Sequence, residues 1–487
     1  MSQAVRNLEP RAVWQNFADL NAVPRPSKKE ERVIKFIQDF GERLHLPVYT
    51  DEAGNVIIKK PASPGMEDRM TVVLQSHLDM VHQKNNDTEF DFDTQGIEMY
   101  TDGDWVKAKG TTLGADNGLG VASIMALLES KDIKHPPLEA LFTIDEETGM
   151  TGALHLKGGL LDADIMLNLD TEDDDELTIG CAGGIDITAQ GDYREQDAPS
   201  DCTAYRLTVK GLTGGHSGMD IYKGRGNANK LINRVLYRAN ENMTLYLSAI
   251  DGGGLRNAIP RESAAILAVN KDDAEIFGQI VREETDTLRA EYAVTDPNLT
   301  ITLEKTEMPA KVMNQDFQGR LLRAVYAIPN GIYRMSPDIE HLVQTSNNLA
   351  RVLVKDNDYE ILCLTRSSVD TEKYDLAHSI KSVFQLLGAR TEFGGSYPGW
   401  TPDPNAPIVE IMSNLYRERF NEEPNVNACH AGLECGILGT NYPAMQMISF
   451  GPNIRGAHSP DERAQISSVQ KYWGFLLETL ERIPVKS

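Results

Sequence analysis

The sequence predicts an α/β fold with a mostly parallel central sheet, interrupted by a large α+β lid domain. Three observations predict it. From about residue 70 short apolar strands alternate with helical periodicity, the order of βαβ units. After TIGCAGGID, residues 178–186, the pattern changes to separate strands mixed with amphipathic helices. The Gly/Pro-rich stretch FGGSYPGWTPDPNAP, 393–407, then reads as a return linker. The expected organisation is a first domain over 1–184, an insert over 185–395, and the first domain resumed over 396–487.

Taken in order, RMTVVLQ is a strand, and its continuous apolar run in β-branched residues is that of a strand buried on both faces. GLGVASIMALLESKD reads as a helix, LEALFTI as a strand and ADIMLNL as a strand. Within the insert, AYRLTVK, the run around 244–250 and AAILAVN read as strands, while NANKLINRVLYRAN and AEIFGQIVREETDTLRAEY read as amphipathic helices. A weak internal echo runs through this region. AYRLTVKGLTGGHSG followed by NANKLINRVLYRA is strand, polar loop and helix, and so is YEILCLTRSSVD followed by KYDLAHSIKSVFQLL, which hints at a duplicated lid. Beyond the linker, PIVEIMSNLYRERF reads as a helix and PAMQMISFG as a strand.

Composition narrows the function classes. The 487 residues, 41% hydrophobic and 25% charged, are those of an ordinary soluble globular protein of two or three domains. No apolar run approaches the ~20 residues of a membrane span, and the start MSQAVRNLEPRAVWQNF lacks the apolar core of a signal peptide. Cys181, Cys202, Cys363, Cys429 and Cys435 are scattered in a way that suits reduced thiols and a cytoplasmic location. A formal charge of -24 argues against nucleic acid and anionic membranes as partners. GCAGG at 180–184 misses the dinucleotide spacing and no P-loop occurs.

The ends of the predicted strands carry a cargo of metal-ligand types. QSHLDM supplies His77 and Asp79, TTLGADNGLG supplies Asp116, LFTIDEETG supplies Glu146 and Glu147, MLNLDTE supplies Asp170, and FGPNIRGAHSPDE supplies His458. In open α/β sheets ligands bind beyond the carboxyl ends of the strands. Each residue alone has an ordinary structural use. Asp79 suits a strand cap, Asp116 with Asn117 a helix N-cap, the two glutamates a solvated loop, and His458 a loop histidine. Asp170 heads the run TEDDDE, which reads as a solvated face with only its first member turned inward. Together the set has the ligand types of a two-zinc hydrolytic site.

The chemistry then distributes roles. Two divalent ions roughly 3.5 to 4 Å apart need a bridging carboxylate, ligands for each ion, and a water between them. Asp116 is the natural bridge, with His77 and Asp170 on one ion and Glu147 and His458 on the other. Bound water falls from a pKa of about 15.7 toward about 7, so hydroxide becomes available near neutrality. Of the neighbouring glutamates 146 and 147, one can ligate while the other takes the water's proton. Asp79 is placed to accept the second N–H of His77 and so orient the ring.

HLDM, GADNG, DEETG, NLDTE and GAHSPDE resemble the motifs of the dinuclear zinc exopeptidases, the family that includes carnosinases and succinyl-diaminopimelate desuccinylase. GLTGGHSGMDIYKGRGNANK, GGGLRNAIPRE and HAGLECG further resemble the aminoacyl-histidine dipeptidase subgroup, and the likeness spans nearly the whole chain. The resemblance implies a zinc-exopeptidase-like catalytic domain. It implies His77, Asp116, Glu147, Asp170 and His458 as ligands, Glu146 as general base and Asp79 as the orienting residue. It also implies a cis peptide between Asp116 and Asn117.

The lid residues are implied by the same likeness. His216, in the glycine-flanked GGHSG, has a flexible turn as its plain reading, and the family's lid histidine stabilises the oxyanion. Asn257 and Arg366 resemble groups that grip the substrate's carboxylate, a task suited to arginine's fork. His430 and Glu434 would share a face if HAGLECG were helical. With the metal shell filled by the other residues, they are assigned to substrate contact.

The implied activity is a cytoplasmic metal-dependent dipeptidase acting on unblocked dipeptides, notably Xaa-His and carnosine-like substrates, through metal-bound hydroxide. The alternatives are an amidohydrolase on N-acyl amino acids or a tripeptidase of the same family, and, from another class, a non-catalytic metal or peptide binder. Zinc is the expected metal, with cobalt and manganese suited to the same donors. A homodimer is among the expected arrangements, and His216 could act in cis or in trans.

Overall fold

The computed structural model describes residues 3–486 of the chain. The described residues divide into two compact units, the first made of 3–180, 400–428 and 433–486, the second of 181–399 with 429–432.

In the first unit an eight-stranded sheet has at its centre the strands Leu138–Thr143, Val72–His77, Ile165–Asn168 and Gln446–Ser449, all parallel. Val48–Thr50 and Val56–Lys60 add antiparallel neighbours on one side, so the sheet is parallel at its core and antiparallel toward that edge. The strand expected over 69–75 starts at Val72 and runs on to His77, buried along its whole length. Helix Ala115–Glu129 packs against that strand and against helix Arg11–Leu20. Its sequence is apolar nearly all round because both faces are covered.

A smaller sheet in the same unit contains the hairpin strands Ile454–Arg455 and Arg463–Gln465, which pair antiparallel. The loop 456–462 between them carries His458.

The second unit is built on one nine-stranded sheet. Strands Cys202–Lys210, Leu245–Gly253, Ser263–Asn270 and Thr300–Lys305 go with helices Ala228–Asn242 and Ala274–Glu291. Strands Gly183–Asp192, Val343–Lys355, Asp358–Ser367 and Arg390–Tyr397 go with helices Gln315–Ala327 and Asp370–Leu387. The two sets join edge to edge where Ile250–Gly253 pairs with Arg351–Val354. One continuous core of residues such as Leu236, Phe277, Leu321 and Phe384 backs both.

The linker expected at 393–407 needs correction. Residues Phe393 and Gly394 pair with Ile187 and Asp186, and Tyr397 pairs with Gly184, so its first part is a sheet strand despite its glycines. Ladder pairing also begins at Gly183 with Ser367, which draws the second unit's start ahead of residue 185.

Candidate metal centre and active site

The parallel strands bring their carboxyl ends to one edge, and the polar residues just beyond each strand gather there. His77 ends the central strand at 1% exposure, and Asp79, two residues on, is fully buried. His77 Nε2 lies 3.2 Å from Asp116 Oδ1 and 3.5 Å from Asp170 Oδ1. His458 Nε2 lies 3.2 Å from Asp116 Oδ2 and 3.0 Å from Glu147 Oε2. Asp116 therefore presents one oxygen to each imidazole. Ligand atoms of His77, Asp116 and Asp170 lie within 4.8 Å of one another, as do those of Asp116, Glu147 and His458. A third such set, His77, Glu146 and Glu147, places both glutamates beside the first imidazole.

Asp116 is not an N-cap. Its helix is capped at Gly114 with no side-chain bond, and Asp116 and Asn117 depart from helical backbone angles, with a cis peptide between them. Asn117 instead donates to Leu169 O at 2.7 Å and to the Asp170 carboxylate.

Asp79 makes contacts of the kind both roles would need. The His77 Nδ1 contacts are to the Asp79 backbone oxygen at 3.1 Å and to its carboxylate at 3.4 Å. The same carboxylate accepts the amides of Glu146 at 3.0 Å and Glu147 at 3.3 Å, and the Ser27 hydroxyl at 2.7 Å. It thus fixes the turn that carries the glutamates as well as the ring.

Charge in this cluster is strongly perturbed. Burial pushes the Glu146 carboxyl well above the usual range, helped by Asp170, Glu147 and Glu434 and opposed by His77. Burial likewise raises Asp170 to about 6. Burial opposes charge on Asp116 too, but hydrogen bonds from His458 and His77 hold its carboxyl well below the ordinary value. The same bonds with Asp116 and Glu147 push His458 up to about 11.

The residues present fit divalent cations. Carboxylates outnumber imidazoles, the donors are all nitrogen and oxygen, and Glu147 Oε1 is buried with no hydrogen-bond partner.

Sequence reading missed three residues of this region. Glu172 is half-buried rather than solvated, its carboxyl pushed up to about 8 by burial and by the charges of Asp116 and Asp170 against that of His458, which corrects the reading of TEDDDE. Glu462 and Arg25, 2% and 1% exposed, hold backbone next to the candidate ligands. Their distance along the chain leaves no local signal, although Glu462 stands within the GAHSPDE motif.

His430 and Glu434 do not share a helix. The helix starts at Glu434, after an extended Leu433, and His430 belongs to the second unit. Glu434 is fully buried in the first unit, where its carboxylate accepts from Gln75 Nε2 and Thr143 Oγ1, both at 2.6 Å, and burial pushes it up to about 7.

Within the second unit His216, Arg366 and His430 influence one another electrostatically. His216 Nδ1 accepts the amides of Gly218 at 3.1 Å and Met219 at 3.0 Å, so its proton sits on Nε2. Burial, with Arg366, lowers its pKa to about 4. His430 Nε2 lies 2.7 Å from Ser346 Oγ, and burial lowers its pKa to about 3. Arg366 is 4% exposed and donates to Tyr397 OH at 2.8 Å. Asn257 is exposed, and its backbone oxygen accepts from Ser217 N at 2.8 Å.

The family model described as Peptidase family M20/M25/M40 matches residues 73–482. The chain is 44% identical over 479 residues, 98% of its length and 99% of the other's, to the cytosol non-specific dipeptidase of Escherichia coli K12. The crystal structure of aminoacylhistidine dipeptidase from Vibrio alginolyticus is similar with a TM-score of 0.93 at 44% identity, covering 99% of each chain. A tripeptidase from Staphylococcus aureus, 16% identical with a TM-score of 0.56 over 98% of this chain and 99% of that one, shares the fold.

Proposed function

This chain belongs to peptidase family M20/M25/M40, and from that premise we propose that it is a metal-dependent dipeptidase cleaving unblocked dipeptides, Xaa-His and carnosine-like ones among them. The observation that carries the reading is Asp116, with one carboxylate oxygen 3.2 Å from His77 and the other 3.2 Å from His458. Two divalent ions are assigned to these groups, zinc foremost, with cobalt or manganese suited to the same donors. His77 and Asp170 would hold one, Glu147 and His458 the other, and Asp116 both. When bound, such ions polarise a carbonyl and lower the pKa of water toward about 7.

The chain's own groups do the rest. Glu146 takes a proton from the attacking water and gives it to the leaving amine, a role supported by its raised pKa and by the Asp79 bond to its amide. Asp79 positions His77. His216 is neutral with a hydrogen on Nε2, which suits a donor to the oxyanion. Arg366, Asn257, His430 and Glu434 are assigned to the substrate by the likeness of their motifs, Arg366 to its carboxylate. A cytosolic setting accords with the Escherichia coli relative, and among the described residues no helix is long and apolar enough to cross a membrane.

The test is hydrolysis of Ala-His, β-Ala-His, Ala-Ala and acetyl-Ala by wild type and Glu146→Ala, after chelation and return of zinc. Zinc-restored cleavage of the free dipeptides, absent from the variant, is expected. Cleavage of acetyl-Ala alone would contradict the dipeptidase reading in favour of an acyl-amino-acid amidohydrolase.

A further inference from the structure

The helix that begins at Ala115 has an unusual N-terminus. Its cap position, Gly114, has φ of 69° and offers no side chain, so the first amides have no local acceptor. They are taken instead by Glu462, a residue up to 349 positions away. Its Oε2 accepts Leu113 N at 2.7 Å and Gly114 N at 2.9 Å. Its Oε1 accepts Ala115 N at 2.7 Å and Asp116 N at 3.3 Å. Glu462 closes the same hairpin loop that carries His458. One loop therefore supplies an imidazole to Asp116 and grips the backbone of Asp116.

Arg25 works on the other side of the same segment. Its guanidinium donates to Gly114 O at 2.6 Å, Leu78 O at 3.0 Å and Asp79 O at 3.2 Å. It thus ties the carbonyls just past His77 to the turn that precedes Asp116. A Cβ at Gly114 would come within 2.6 Å of Arg25 Nη2, so the turn is shaped to this arginine.

We infer that Glu462 and Arg25 are positioning residues that set the spacing of the three segments bearing His77, Asp116 and His458, and so determine how tightly the cation pair is held. This rests on the two-cation reading given above. A carboxylate suits the task because both oxygens accept from paired amides. A glutamine turns an NH2 group against two of those donors. Neither residue touches the substrate in this account, so their effect is on metal retention first and turnover second. Partners of metal ligands elsewhere typically change affinity about 10- to 100-fold when removed.

The experiment uses the full chain, stripped by chelation and titrated with Co2+ alone, reading both metal affinity and the visible absorption band that reports ligand geometry. Far-UV circular dichroism and thermal melts of the stripped proteins accompany it. Glu462→Gln is expected to keep the wild-type dichroism and a cooperative melt while binding cobalt about 10- to 100-fold more weakly with an altered band. Glu462→Asp should lie between the two. A Glu462→Gln protein that titrates like wild type, with the same band, overturns the inference while leaving the dipeptidase reading intact. Wild type that takes up no cobalt overturns both. Should Glu462→Gln lose its melt, Arg25→Lys, which cannot span the carbonyls of Leu78, Asp79 and Gly114, is read against the same two outcomes.

Discussion

At the scale of single residues the proposed chemistry turns on Glu146 and His216. Glu146→Gln removes a proton carrier and leaves the other groups around Asp116 in place, so kcat on a free dipeptide should fall about 100- to 10,000-fold with metal content unchanged. Loss of metal together with activity would place Glu146 among the ligands instead. His216→Ala removes a single N–H donor, and kcat should fall about 100- to 1,000-fold. His430 gives a prediction for stability. Held down to about 3 by burial, Arg366 and His216, against an ordinary 6.5, it stays neutral in the folded chain where the unfolded chain has already taken up a proton. Its contribution to stability is therefore complete above pH 6.5 and is lost as pH falls toward about 3, by up to about 1.4 kcal/mol per pH unit. Urea midpoints at pH 7 and 5.5 should separate less for His430→Gln than for wild type; equal separation would count against the account.

At the scale of elements the site is a property of strand ends. His77, Asp170 and the turn bearing Glu146 and Glu147 each stand at the end of a central parallel strand or just beyond it, and the first turn of the Ala115–Glu129 helix brings Asp116 to within 3.2 Å of His77. Gly114→Ala should destabilise by more than about 1 kcal/mol, because φ of 69° is unfavourable for alanine and Arg25 blocks the space. An unchanged denaturation midpoint would show that the turn relaxes freely. These strand ends were legible in the sequence because each apolar run leads directly into its polar residue. The strand at 390–397 was not, since its glycines and prolines carry the marks of a linker while sheet pairing to the 183–192 strand decides the outcome. The spacing of His430 and Glu434 misled for a related reason: helical periodicity means nothing until a helix is known to begin before it.

At the scale of the whole molecule, residues far apart in the chain meet at Asp116, which is why Glu462 and Arg25 left no local signal while the ligand motifs did. Glu172 was hidden differently, inside an acidic run whose composition suggests solvent. A chain of net charge -24 that collects buried carboxylates at one edge should gain stability from divalent cations. Chelation should lower the melting temperature and zinc should restore it, with about 2.7 kcal/mol of stabilisation when free metal is about 100 times its Kd. The most direct test of the central claim is metal stoichiometry by equilibrium dialysis with elemental analysis, comparing wild type with Asp116→Ala. A pair of ions per wild-type chain and loss of the pair in the variant are expected. A wild type that holds a single ion, or a variant that keeps both, would contradict the claim.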